Sequence, residues 1–338
     1  MAGYRGCAKK PLWRTRALIS ERDMELTVVI PCLNSETTIA IQLEALANQH
    51  WTKPWEVVVS DNGSTDRSME IAARYKDRLP HLRIVDASDQ RGKSYHARNA
   101  GARAAAGISL AFCDADDYVE PGWVAGMGEA LSQHDAVCGQ TRFDKFNDPK
   151  EAEIHAGLWK DGLYWKQFLP HAATCNLGVR RSVHEKIGGF DECLPRYADG
   201  DYCWRLQLEG YKLYYVPEAI VQYRIGRTNF SLSYRYRRAA TAAECDYWLY
   251  KKYRSMGVTK DMILPPDHSL KRSFISWLSS LKSMPCSVLG SRETRVMWLQ
   301  NFVGRTGDVM GHLQGRLMNP CKPYAPVGKI SRFNVLGK

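Results

Sequence analysis

The 338-residue chain has no apolar run approaching the roughly 18 to 20 residues that a membrane-spanning helix needs, and its N-terminus lacks the apolar centre of a signal peptide. Neither a membrane span nor export is expected, which points to the cytoplasm. Its ten cysteines form no Cys-x-x-Cys pair and have no clustered histidines beside them, so zinc sites and disulfide frames are excluded. Thiols scattered in this way fit a reducing compartment. Acidic residues are scarce at the two ends: residues 251–338 hold 15 Lys/Arg against 4 Asp/Glu, and residues 1–24 hold 6 against 2. Residues 25–250 hold 26 against 30, so the net charge of +11 belongs to the ends. A nucleic-acid site would need a basic surface around it, and the acidic middle argues against one. Basic ends suit lipid headgroups or acidic glycans, or simply a solvated surface.

Hydrophobic residues make up 44% of the chain and charged residues 25%, as in ordinary globular proteins. Residues 1–24 lack periodicity and read as a flexible basic arm; Met1 and Met24 both stand as starts. From Leu26 onward β-branched runs alternate with helical patterns. Strands are expected at Leu26–Ile30, Trp55–Ser60, Leu82–Val85 and Ile108–Phe112. Helices are expected from Ser35, over Thr65–Leu79 and over Lys93–Ala106. This order predicts an α/β fold with a mostly parallel sheet flanked by helices, whose ligands bind beyond the carboxyl ends of the strands. Further extended runs lie near Ala136–Phe143, Thr174–Val179 and Lys212–Val216.

From about Ser231 to residue 338 the chain reads as a basic helical extension. In His268–Met284, the side chains of Leu270, Phe274, Trp277, Leu278 and Leu281 share one face, flanked by Lys271, Arg272 and Lys282. A second helix contains Val296, Leu299 and Val303. Such faces either pack on the rest of the protein or lie in a membrane interface, and the sequence leaves both open.

Four polar loops should meet at one sheet edge: Pro31–Asn34, Asp61–Asp66, Asp86–Lys93 and Asp114–Asp116. Asp114 and Asp116 stand two apart after a buried run, so in extended geometry their carboxylates share a side and repel unless a cation intervenes. Mg²⁺ or Mn²⁺ held between such carboxylates and a diphosphate fits this need, with Asp117 as bystander. Asp61 is placed to accept hydrogen bonds from a nucleotide base. Lys93 and Arg98, at a helix start, suit phosphate oxygens.

Val28-Val-Ile-Pro-Cys-Leu-Asn34, Val57-Val-Val-Ser-Asp-Asn-Gly-Ser-Thr-Asp66, Ala97-Arg-Asn-Ala-Gly101 and Phe112-Cys-Asp-Ala-Asp-Asp117 together resemble the successive signatures of family 2 glycosyltransferases. Asn176–Glu192 and Ala198–Leu206 extend the resemblance over roughly residues 26–225. It implies a GT-A fold, Rossmann-like, over residues 25–230, and inverting transfer from a nucleotide-diphosphate sugar, a UDP-sugar first, to a glycan or glycolipid. By that resemblance Pro31, Asn34 and Asp61 line the nucleoside pocket, and Lys93, Arg98, Asp114 and Ala115 approach the donor. Asp114 and Asp116 hold the metal, and Asp199 is the catalytic base. Two departures stand out. The usual Glu before the base is Ala198, which leaves support of the base to another group such as Asp201, and Val221-Gln-Tyr-Arg224 lacks the family's metal-binding His. A nucleotidyltransferase would need a glycine-rich loop in place of Pro31–Asn34; a nucleotide-binding relative with weak catalysis is the other alternative.

Overall fold

The computed structural model describes residues 24–318, apart from 80, 165–167, 226–230, 265–268, 285, 286 and 288. The expected arm before Met24, and Trp165 and His268, lie outside the described residues. The chain opens with β1 (Leu26–Cys32), α1 (Ile39–Ala47), β2 (Trp55–Asp61), α2 (Ser68–Ala73), β3 (Arg83–Asp86), α3 (Ser94–Ala104) and β4 (Ser109–Phe112). This is the expected alternation, with later helix starts. Ser35 N–H donates to Ser68 Oγ at 2.7 Å and Glu36 N–H to Asp66 Oδ2 at 3.0 Å, which pulls residues 35–38 sideways into a turn. Asp66 also accepts from Ser68 N–H at 3.0 Å and so delays α2.

The middle of the chain adds β5 (Tyr118–Val119), α4 (Trp123–Gln133), β6 (Ala136–Arg142), α5 (Pro149–Ala156), β7 (Trp159–Lys160), β8 (Leu163–Tyr164), β9 (His171–Ala172), β10 (Leu177–Arg180), α6 (Arg181–Lys186), α7 (Ala198–Leu208) and β11 (Leu213–Gln222). The main sheet runs β3-β2-β1-β4-β10-β6-β11-β5, and β7-β8-β9 form a small antiparallel one. The first four strands are parallel, while β10 is antiparallel to both β4 and β6. The expected strand at Thr174–Val179 begins as a short 3-10 turn, and that at Lys212–Val216 runs on past a bulge to Gln222.

Both faces of the sheet are covered, which explains the unbroken apolar reading of β1. Val28 and Ile30 pack with α1 and α4, whereas Val29 packs with Phe112, Val179 and Phe190 on the other face. Gly101 of α3 lies so close to β1 that a Cβ there would meet Val29 Cγ1 at 2.5 Å. This contact draws α3 down onto the strand and holds its N-terminus at the sheet edge.

The chain ends in α8 (Leu232–Tyr253), α9 (Lys260–Ile263), α10 (Leu270–Lys282) and α11 (Arg292–Leu317). Cys245, Trp248, Leu249 and Tyr253 of α8 share a core with Leu194, Ala198, Trp204 and Leu208. Helix α11 lies on α8 through Gly307, Gly311 and Gly315; a Cβ at Gly311 would meet the Ala240 carbonyl oxygen at 2.0 Å. No helix among the described residues is long and apolar enough to cross a membrane.

Helix α10 turns most of its apolar face outward. It lies on α11 with its serines inward: Ser273 and Ser280 are 4% and 2% exposed, while Phe274 and Ile275 are 47% and 54% exposed. Ser273 donates to Asp308 Oδ2 at 2.8 Å, Trp277 Nε1–H to Thr306 Oγ1 at 3.0 Å, and Arg305 to the Ser276 carbonyl at 2.9 Å. Trp277 turns partly inward, stacking near Phe302. Packing on the rest of the protein therefore does not account for Leu278 and Leu281, nor for Val296 and Leu299 of α11, all of which remain exposed.

Candidate active site

Strand β4 stops at Phe112, and the next residues turn: Asp117 N–H donates to the Asp114 carbonyl at 3.4 Å. Extended geometry does not persist through Asp116. The turn swings Asp117 round, so that carboxylate oxygens of Asp114 and Asp117 lie within 4.8 Å of each other and of Cys175 Sγ. Asp117 is thus part of the acidic cluster and no bystander, whereas Asp116 stands at the surface of the cleft. Arg98 is 4% exposed and pairs with Asp114. Arg224, where a histidine was absent, donates its N–H to Asp117 Oδ1 and its Nε–H to the Asp116 carbonyl, both at 2.9 Å.

Two cations beside three carboxylates leave negative charge in excess. Loss of solvent, followed by the charges of Asp114 and Asp116, raises Asp117 well above the usual carboxylate range. Asp117 Oδ2 is buried with no conventional hydrogen-bond partner among the described residues; the Cys175 thiol is its weak neighbour. An oxygen-rich, electron-rich cluster with an orphaned buried oxygen fits a hard divalent cation.

Pro31, Arg98, Asp114, Ala115 and Asp116 line one cavity of about 240 Å³, together with Asn62, Gly92 and Ser94 at the start of α3. The other three expected donor residues lie around it. Asn34, at φ 50°, accepts from Thr65 N–H at 2.8 Å, and Asp61 accepts from Ser64 N–H at 2.9 Å, so both shape the β2–α2 loop. Lys93 is exposed and donates to Gln90 Oε1 at 2.7 Å. Asn62, which pattern reading passed over, fixes the floor by donating to the carbonyls of Ala87 and Gln90.

Asp199 lines a second cavity, of about 480 Å³, whose wall includes Tyr95, His171, Tyr197 and Tyr223. Tyr95 follows Ser94 of the first cavity, and its ring lies 5.5 Å from the Arg98 guanidinium. The two cavities therefore adjoin across the first turn of α3. Gly200 N–H donates to Asp199 Oδ1 at 2.9 Å. Burial holds His171 below its ordinary range against the pull of the Asp199 charge. Trp159 and Tyr164 line the same cavity.

Asp201 does not support Asp199. Residues two apart on a helix face different ways, and Asp201 points inward, fully buried, to Arg205 Nε at 2.9 Å, Lys252 Nζ at 2.6 Å and Tyr253 OH at 2.7 Å. The Asn99 of the third motif is likewise structural: it donates to the Phe190 carbonyl at 2.9 Å and to Glu192 at 2.7 Å.

A mostly parallel sheet with a carboxylate turn at its edge, a helix N-terminus beside it and a second cavity lined by Asp199 and Asp246 is the GT-A architecture. Residues 27–188 match the model of glycosyl transferase family 2, and the chain carries a family 2 glycosyltransferase domain. Glycosyltransferase AglE of Haloferax volcanii is 31% identical over 201 residues, covering 58% of this chain and 65% of AglE. Poly(ribitol-phosphate) beta-N-acetylglucosaminyltransferase TarS of Staphylococcus aureus is 31% identical over 112 residues, covering 33% of this chain and 19% of TarS. Both matches span less than two thirds of the relative. Among solved structures, the mannosyltransferase PcManGT from Pyrobaculum calidifontis, in complex with GDP-Man and Mn²⁺, shares the fold with a TM-score of 0.57 at 18% identity, covering 86% of this chain and 87% of that one.

Proposed function

We propose that this protein transfers a sugar from a nucleotide-diphosphate sugar to a hydroxyl of a glycan or glycolipid acceptor, with inversion. The observation that carries this reading is the pair of adjoining cavities, one edged by Asp114, Asp116 and Arg98 and the other by Asp199. The donor's diphosphate belongs in the first, near the α3 N-terminus, whose free N–H groups favour anions. The acceptor belongs in the second. Its hydroxyl oxygen attacks the anomeric carbon from the face opposite the diphosphate, and its proton passes to the Asp199 carboxylate. The bond to the diphosphate oxygen breaks, and that oxygen keeps the electron pair. Arg98 and Arg224 hold the aspartate turn in place. A divalent cation held by Asp114 and Asp116, with the orphaned Asp117 oxygen beside them, would neutralise the departing diphosphate; PcManGT holds Mn²⁺ with its donor. The buried free thiols, such as Cys113, Cys138 and Cys203, support a reducing, cytoplasmic setting.

The test is thermal unfolding with UDP-, GDP- and dTDP-sugars, each with Mn²⁺, Mg²⁺ or chelator. A ligand at about 100 times its Kd adds about 2.7 kcal/mol, and one nucleotide should raise Tm by several degrees only with metal. The Asp116→Asn variant should lose that rise. If no nucleotide shifts Tm under any condition, the reading fails.

We further assign the outer face of α10 to a membrane surface. A helix that buries serines and exposes Phe274, Ile275, Leu278 and Leu281, with Lys271, Arg272 and Lys282 at its flanks, has the polarity of an interfacial helix. Full-length protein should sediment with phosphatidylcholine vesicles containing phosphatidylglycerol, and the Ile275→Asp/Leu278→Asp variant should stay in solution. Equal sedimentation of the two proteins would overturn the assignment.

A further inference from the structure

The wall of the Asp199 cavity does not end at that cavity. His155, Arg196 and Tyr197 also line a groove of about 680 Å³ that runs between α5 on one side and α8 and α11 on the other. Four arginines reach into it, Arg196, Arg235, Arg238 and Arg305, against the two acids Glu151 and Asp308. No ion pair joins Arg196, Arg238 or Arg305 to an acid among the described residues. Arg196 Nε is also buried without a hydrogen-bond partner. Asp308 is already engaged as the acceptor of the Ser273 hydroxyl.

Guanidinium groups gathered in a groove without matching carboxylates repel one another and favour an anion. A carboxylate offers two oxygens, and a phosphate offers three to be shared among several planar forks. The groove leads away from Asp199, and its own arginines do not touch the Asp114 cluster, so the donor's diphosphate is not what they await. One of them, Arg305, donates to the Ser276 carbonyl and the Ser280 hydroxyl of α10, which ties the groove to the helix whose apolar face is turned outward.

We infer that this groove binds a phosphate group carried by the acceptor. The phosphate sits among Arg196, Arg238 and Arg305, and the acceptor hydroxyl reaches back past Tyr197 to Asp199. This rests on the proposed transferase reading for the word acceptor, but the groove's taste for phosphate is independent of it. The phosphate belongs either to a lipid whose chain follows the α10 face or to a soluble phosphate-bearing glycan.

Binding of farnesyl phosphate and of inorganic phosphate to the full chain, measured by calorimetry with saturating nucleotide present, separates these cases. Farnesyl phosphate should bind with the donor site filled. Arg238→Ala should weaken it about tenfold and Arg196→Ala/Arg238→Ala further, with Arg238→Lys recovering part of the loss. Nucleotide affinity, read on the same variants, should not change, which also shows that they fold. An Arg74→Ala control, on α2 and remote from the groove, should bind as the parent does. A lipid source predicts that farnesyl phosphate binds at least about tenfold tighter than inorganic phosphate; a soluble source predicts similar values. Displacement by nucleotide, or equal binding by the arginine variants, overturns the assignment. Should no nucleotide bind either, the transferase reading fails on its own, and phosphate binding lost in the arginine variants would still stand.

Discussion

Asp199→Asn should lower kcat by about 10²- to 10⁴-fold and leave donor affinity within about twofold. Asparagine keeps the Oδ1 that accepts the Gly200 N–H, so the helix start is preserved while the proton acceptor is lost. The comparison needs steady-state rates with the donor found by the unfolding panel, and nucleotide Kd for both proteins. A variant with unchanged kcat would remove Asp199 from the role of base. A variant that lost nucleotide binding along with rate would point to a structural role at the first turn of α7.

The aspartate two positions on should behave in the opposite way. Asp201→Ala removes the partner of Arg205 and Lys252 at a site with no exposure, and breaking a buried pair of this kind costs about 3–5 kcal/mol. Tm should fall by about 10 °C, measured by calorimetry or circular dichroism. Burial opposes ionisation of Asp201, yet Arg205 and Lys252 outweigh it and hold the carboxyl below its ordinary range. A depressed carboxyl stabilises above the unfolded value near 4 and loses that contribution as pH falls through its folded value. The gap between parent and variant should thus be full at neutral pH and narrow only below about pH 4. A fall under about 1 kcal/mol would mean that Lys252, which also holds Asp191 at 2.6 Å, and Arg205, bound to the Ile187 and Gly189 carbonyls, manage without it.

The first half of the fold was legible because it repeats. Strands of one period and helices of another alternate from Leu26 to Phe112, and the loops between them carry the polar residues that line the first cavity. Short strands such as Tyr118–Val119 and Leu163–Tyr164 hold too few residues to display a period, so the small sheet beside Asp199 could not be read in advance. The Asp114–Asp117 turn was misjudged for a different reason. Sequence spacing gives direction only while the strand lasts, and the strand ends at Phe112. Asp201 shows the same limit, since a carboxylate near a site looks alike whether it faces the ligand or the core. The arginine groove was invisible for lack of locality: Arg196, Arg238 and Arg305 are far apart in the chain, and Arg238 and Arg305 meet because α11 lies on α8.

That last contact has a bearing on how the chain tolerates change. At Gly307, Gly311 and Gly315 two helix backbones touch with nothing between them, and each position faces main-chain atoms of Tyr236, Ala240 and Glu244. At Gly307 and Gly311 the joint is made of main chain alone, so it depends little on which side chains α8 carries but admits no methyl group on α11. A side chain at Gly307 or Gly311 should therefore push α11 off α8 and distort the groove that the two helices share.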